Sequence, residues 1–366
     1  GFHRLNAWPA DIFASIAPPP PPASPLAIKK ENAIVMRDMC EVTPVIWKGR
    51  LCMFECVRPA SGGTRKDYCL LLRDVETGKE MARFAEGYGL ANAFVHGDTF
   101  YACASRWGDD NSWNDVTIFK SKDLQTWESK VAIQQEKESL FNSSICAGPD
   151  GFVMVYESND PTYPAFTIKL AQSKDMETWT KLPDATFGTN RYTACPSIRY
   201  ANGYYYVLYT EHRSPLWRYE TYLTRSKDLK TWEFSAANPV LAPEGVEEGI
   251  NNSDPETVEY NGKTFLYYAV GDQQTWMNIK RAVYPGTLAQ FFESYYTMPG
   301  IVDKGTAFAA QQPPAESPDD ARDRLGSEGG ARAPAQCPAR PVRRLSLGRW
   351  CCQHARHGAR QLHRRP

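Results

Sequence analysis

The segment Ser121-Lys-Asp-Leu-Gln-Thr-Trp127 recurs almost unchanged as Ser173-Lys-Asp-Met-Glu-Thr-Trp179 and Ser226-Lys-Asp-Leu-Lys-Thr-Trp232. The copies lie 52 and then 53 residues apart. A fixed period of this size restricts the chain to a repeat architecture, one supersecondary unit built several times over. Each copy follows a strand-like run, Val116–Phe119, Phe166–Leu170 or Tyr219–Thr224. Ser and Asp bond their own backbone and so make turns. The tryptophan then opens the next strand, where it can fill the gap between neighbouring sheets.

A second element recurs through the same region: a short apolar strand, a turn, then an aromatic strand. Its copies begin at Thr43, Asn92, Asn142, Cys195 and Asp254. Five units of roughly fifty residues, each long enough for four strands, predict an all-β, five-bladed β-propeller with four-stranded antiparallel blades. Regular turn signals and the lack of helical periodicity agree. The propeller is expected over 40–304. Residues 1–39 read as an N-terminal extension carrying five consecutive prolines at 18–22, a stiff polyproline spacer.

Residues 305–366 form a third region. It has eleven arginines, five acids and no lysine. With almost no apolar periodicity it is expected to be a basic, disordered tail. Its composition fits a natural tail and an out-of-frame reading of a GC-rich gene end equally well. The whole chain balances 42 basic against 42 acidic residues, so the body carries the opposite, acidic excess. That balance gives no attraction to nucleic acid or anionic lipid. No apolar run is long enough for a membrane-spanning helix. The ten cysteines contain no C-x-x-C pair, and neither a metal motif nor a cofactor motif is visible. Buried free thiols are expected, which leans toward a reducing compartment. Cytoplasmic and periplasmic or secreted bacterial settings both remain open, as does the oligomeric state.

In a propeller the innermost strands line a central channel. The starts of those strands and the ends of the second strands meet on one face. Loops on such a rigid scaffold commonly carry function. The residues converging there include the carboxylates Glu41, Glu157, Glu211 and Asp254. Arg58, Arg106, His212, Arg213 and Asp272 join them, with Trp107, Trp217 and Trp276 in or beside the same loops. An aromatic face at a pocket mouth can stack on a sugar ring.

The Asp254-Pro255 start, the tyrosine-rich run Gly203–Tyr209 and the Ser-Lys-Asp-Leu-x-Thr-Trp turns resemble the five-bladed propeller glycoside hydrolases of families 43, 62, 32, 68 and 117. The resemblance covers about residues 40 to 300. It implies a hydrolase of a carbohydrate substrate that removes a terminal sugar, of galactose, arabinose or xylose type, with two carboxylates in the channel. One would protonate the leaving oxygen and the other activate water or attack the anomeric carbon. In family 43 the general-base aspartate precedes a proline in the first blade. Here that place holds Thr43-Pro44, with Glu41 nearby, and the aspartate–proline pair stands in blade five at Asp254. Glu211 is the first candidate for the acid and Glu157 the reserve. Three rival readings stay open: a sialidase, a glycoside phosphorylase with a cationic phosphate site, and a carbohydrate-binding propeller without catalysis.

Overall fold

The computed structural model describes residues 28–59, 63–213 and 218–297. The polyproline run, the segment from 305 onward and Trp217 lie outside them, as does the side chain of Arg213. The chain enters through two short strands, β1 (Lys29–Lys30) and β2 (Met36–Arg37). Blade I follows with β3 (Val42–Trp47), β4 (Arg50–Val57), β5 (Cys69–Asp74) and β6 (Glu80–Phe84). Blade II holds β7 (Tyr88–His96), β8 (Thr99–Trp107), β9 (Trp113–Ser121) and β10 (Glu128–Ile133). Blade III holds β11 (Leu140–Gly148), β12 (Gly151–Ser158), β13 (Thr167–Ser173) and β14 (Thr180–Lys181). Blade IV holds β15 (Thr193–Ala201), β16 (Tyr204–Arg213), β17 (Arg218–Ser226) and β18 (Glu233–Phe234). Blade V holds β19 (Ser253–Tyr260), β20 (Lys263–Gly271) and β21 (Met277–Tyr284).

Every blade is an antiparallel meander. The innermost strands touch in ring order, β3 to β7 to β11 to β15 to β19 and back to β3. The molecule is thus a five-bladed β-propeller, as the repeats require.

The repeat explains itself at atomic level. In its first copy the Ser121 hydroxyl accepts the Leu124 N–H at 2.8 Å, while Asp123 accepts those of Gln125 and Thr126 at 2.8 and 2.7 Å. The Ser173/Asp175 and Ser226/Asp228 copies repeat the pattern. Each turn holds its fourth residue, Leu124, Met176 or Leu229, in the left-handed region with the side chain buried. Each tryptophan then leans back onto the preceding blade. Trp127 stacks on Phe84 at 3.6 Å, Trp179 joins the apolar cluster of blade II, and Trp232 packs on Phe187 at 4.8 Å. Blade V has no such turn between its third and fourth strands. Helix α1 (Leu288–Ser294) fills the equivalent gap, its Phe292 stacked on Tyr206 of blade IV at 4.6 Å.

The ring is closed by the chain's own beginning. The sequence reading counts residues 29–37 with the N-terminal extension. In the structure Lys29 and Lys30 pair with Val283 and Ala282, and Met36 and Arg37 with Ile279 and Asn278, so they supply the outer strand of blade V. A buried ion cluster fastens this joint. Glu248, 1% exposed, accepts Lys30 Nζ at 2.6 Å, Lys280 Nζ at 2.9 Å and the Tyr268 hydroxyl at 3.1 Å. Burial alone would raise the Glu248 carboxyl, but the two lysines hold it down at about 2. Removing one partner of such a cluster strands the others without a counter-charge. Glu248→Ala should therefore cost about 3–5 kcal/mol in denaturant unfolding. A loss below about 1 kcal/mol, the ordinary scale of a surface pair, would show the joint to be dispensable.

Candidate active site

The innermost strands do not run straight into the channel mouth. In β7, β11, β15 and β19 the pairing register slips by a bulge at the pocket end. At each slip one residue is held in the left-handed region, Leu90 (φ 53°), Asn142 (φ 24°), Cys195 (φ 49°) and Asp254 (φ 51°). A bulge re-aims the side chains around it, and strain of this sort is stored where function gathers. The re-aimed residues wall a small cavity on the axis. Asn92, Asn142, Cys195, Asp254 and Glu256 are among them, and Glu41 and Thr43 of the unbulged blade I complete the wall.

Three carboxylates meet there. Glu41 is buried, and its Oε1 accepts Arg58 Nη2 at 3.1 Å. Asp254, half-buried at the mouth, accepts hydrogen bonds at Oδ2 from the Ser253 hydroxyl and from Cys40 Sγ, the latter at 3.6 Å. Glu157 lies behind the wall, its Oε2 accepting Asn142 Nδ2 and the Cys195 N–H, both at 2.9 Å. Burial pushes Glu157 up to about 7, and the like charges of Asp254 and Glu41 push the same way. Burial, then Glu41, also raise Asp254, to about 6, against the pull of Ser253, Cys195 and Arg58. Such neighbours titrate as a set.

A fourth acid, Glu256, forms the floor. It accepts hydrogen bonds from Asn92 of blade II and, at 3.0 and 2.8 Å, from Ser197 and Arg199 of blade IV. Burial raises its carboxyl as well.

Against solved structures the chain is similar to a glycoside hydrolase at 15% identity and TM-score 0.55, covering 72% of this chain and 91% of that one. It is similar to a thermostable family-43 glycoside hydrolase at 12% and 0.51, covering 69% and 91%. It is also similar to an N-acetylgalactosamine deacetylase from F. plautii, solved with blood group B trisaccharide, at 12% and 0.54, covering 70% and 95%. The fold is that of the propeller glycoside hydrolases. No family model and no curated protein matches the chain. At such identities the likeness is one of architecture, and one architecture hosts several chemistries.

On this five-bladed frame the residues singled out in the sequence separate into two groups. Glu41, Glu157 and Asp254 are brought together, with Arg58 on Glu41. Glu211 stands apart. It pairs with Arg191 Nε at 2.7 Å and the Tyr209 hydroxyl at 2.9 Å, and in the ladder it faces Thr193. The register gives the reason. Glu157 faces Phe141, the residue before its bulge, whereas in blade IV that place opposite Ala194 belongs to Thr210. Glu211 is one step further along, and successive strand residues face opposite ways.

Arg106 reaches Asp115 at 3.6 Å on the rim. Trp107 packs edge-on to Trp113 at 5.2 Å under the Arg65 guanidinium. Asp272 and Trp276 belong to a fourth Asp-x-x-Thr-Trp turn. Asp272 accepts the N–H groups of Gln274, Thr275 and Trp276, and these bonds with the Thr275 hydroxyl overcome burial and hold it at about 2. His212 lies against Tyr219 at 4.8 Å and Tyr192 at 6.2 Å, and burial lowers its pKa. These rings extend an arc through Phe166 to Phe141, with centroids 5.5 and 5.2 Å apart.

Sequence reasoning missed Cys40, Ser253, Glu256, Phe166 and Tyr192. Glu256 stands two positions after Asp254, but the bulge between Ser253 and Glu256 breaks the period-two alternation that would otherwise assign its face.

The raised pKa of Glu157 has a measurable consequence. The folded chain holds this proton more tightly than the unfolded chain. The stability so gained is complete below about 4.5 and is lost as pH climbs through about 7. Glu157→Gln abolishes that loss. Its melting temperature relative to the parent should climb between these two pH values and then level off. A pH-independent difference would mean that the carboxyl titrates normally.

Proposed function

We propose that the chain is a glycoside hydrolase that removes a terminal sugar of galactose, arabinose or xylose type. The observation carrying this reading is the closeness of Asp254, at one bulged channel mouth, to Glu157 just behind it, both raised by burial, Glu157 further by the charges of Asp254 and Glu41 and Asp254 by that of Glu41. Glycoside cleavage needs one carboxyl that still holds a proton near neutral pH and one that has lost it. Glu157, the higher of the two, suits the acid that protonates the leaving oxygen. Asp254 suits the base or nucleophile at the anomeric carbon. Glu41 keeps the pair's titration high by its charge, and Arg58 neutralises Glu41. The aromatic arc from Phe141 to Tyr219 offers a stacking surface for the sugar on the blade III and IV side. The carbohydrate chemistry of the structural neighbours supports the substrate class.

The test is hydrolysis of nitrophenyl galactosides, arabinofuranosides and xylosides, with and without inorganic phosphate. Glu157→Gln and Asp254→Asn should each lower kcat by about a hundredfold or more, the scale of a lost acid or base. Glu211→Gln should leave kcat within severalfold, and Tyr192→Ala should act chiefly on KM. Parental activity should peak between about 6 and about 7, where Asp254 is ionised and Glu157 protonated. Near-parental rates in both carboxylate variants would remove this pair from the mechanism. Turnover only with phosphate would make the enzyme a phosphorylase, and sugar binding without turnover would make it a carbohydrate-binding propeller.

A further inference from the structure

Cys40 is not needed for hydrolysis, yet it sits with its sulfur in the cavity's acid cluster. The Sγ of Cys40, a Glu41 carboxylate oxygen and an Asp254 carboxylate oxygen all lie within 4.8 Å of one another. Cys40 Sγ is 3.6 Å from Asp254 Oδ2. Zinc bonds of about 2.3 Å to sulfur and about 2.0 Å to oxygen set tetrahedral ligands about 3.5 Å apart. This edge therefore already has the right length. A second observation comes from Glu41. Its residue is 5% exposed, Arg58 occupies Oε1, and Oε2 is buried with no hydrogen-bond partner among the described residues. A carboxylate oxygen left so costs free energy that a cation would recover. The charges agree: the carboxylates of Glu41 and Asp254 share one guanidinium, that of Arg58.

We propose that Cys40, Glu41 and Asp254 form a binding site for a thiophilic divalent cation, zinc by its ligand chemistry. One thiolate and two carboxylates make three protein ligands and leave the fourth position toward the cavity for water. Calcium and magnesium disfavour the sulfur and prefer all-oxygen shells. Binding displaces the Cys40 proton to solvent, so affinity grows with pH. The site shares Glu41 and Asp254 with the proposed hydrolase centre but does not depend on that reading. Occupancy would withdraw Asp254 from its proposed part as base or nucleophile.

The experiment is a cobalt(II) titration of the full chain, followed by the thiolate-to-cobalt charge-transfer band in the near ultraviolet. The parent should show the band and lose it on addition of zinc. Cys40→Ser should lose it, and Glu41→Gln should weaken cobalt affinity by roughly tenfold or more. Cys351, Cys352, His354 and His357 could also take cobalt, so a chain with Cys337, Cys351 and Cys352 replaced by serine is run beside it and should keep the band. Folding of each variant is checked by circular dichroism. Absence of a band in the parent, or a band undiminished in folded Cys40→Ser, overturns the proposal. If Cys40→Ser does not fold, the decision passes to Glu41→Gln, where unchanged affinity overturns it. Turnover does not enter the readout. A chain that binds cobalt through Cys40 but, assayed free of metal, cleaves no glycoside sinks the hydrolase reading alone. An active chain without the band sinks only the metal site.

Discussion

One carboxylate on the axis, Glu256, holds the centre of the ring together. The innermost strands of neighbouring blades share no ladder of backbone bonds, so their contact depends on side chains. Glu256 belongs to blade V and binds Asn92 of blade II together with Ser197 and Arg199 of blade IV. A buried carboxylate is tolerated only when its oxygens are satisfied. Here the satisfaction comes from two other blades, II and IV, which fixes the spacing of all three at the level just beneath the cavity. Everything above that floor inherits its position from it.

Above the floor, the bulges turn the strand ends inward and put Asp254, Asn142 and Cys195 around one space. The same crowding sets the electrostatics. Glu157 is raised by burial and by the charges of Asp254 and Glu41, Asp254 by burial and Glu41, and Arg58 is the cation that pulls Asp254 the other way. The scaffold thus bears a local cost in stability at the place where proton transfer or cation binding would need it. The outer parts of the blades carry no such cost. Their turns are satisfied by Ser and Asp, and their gaps are filled by Trp127, Trp179 and Trp232.

Much of this was legible in the chain. The Ser-Lys-Asp-x-x-Thr-Trp turns are local structures fixed by local hydrogen bonds, so their spacing reports blade number directly. The convergence of Glu41, Glu157 and Asp254 followed from propeller geometry alone. The choice between Glu157 and Glu211 did not, because a bulge shifts strand register by one residue and leaves no mark in composition. Asp272 and Trp276 were assigned to substrate although Asp272-Gln-Gln-Thr-Trp276 repeats the turn sequence without its Ser-Lys prefix. The closing strand was hidden for another reason. Lys29-Lys30 and Met36-Arg37 are too short to show periodicity and acquire strand structure only by pairing with β21.

That closing strand imposes an order on biosynthesis. The residues that complete blade V leave the ribosome before the rest of the ring, and their partners are nearly the last of it. The Glu31–Arg281 pair alone spans 250 positions. Contacts of such separation form late and slowly. Until they form, a nascent chain presents four finished blades and a fifth with an open outer edge, a ready template for pairing with another chain. The vulnerable period is therefore the interval between emergence of β21 and its capture of the N-terminal segment. A chain that had lost residues 29–37 would remain in that state permanently.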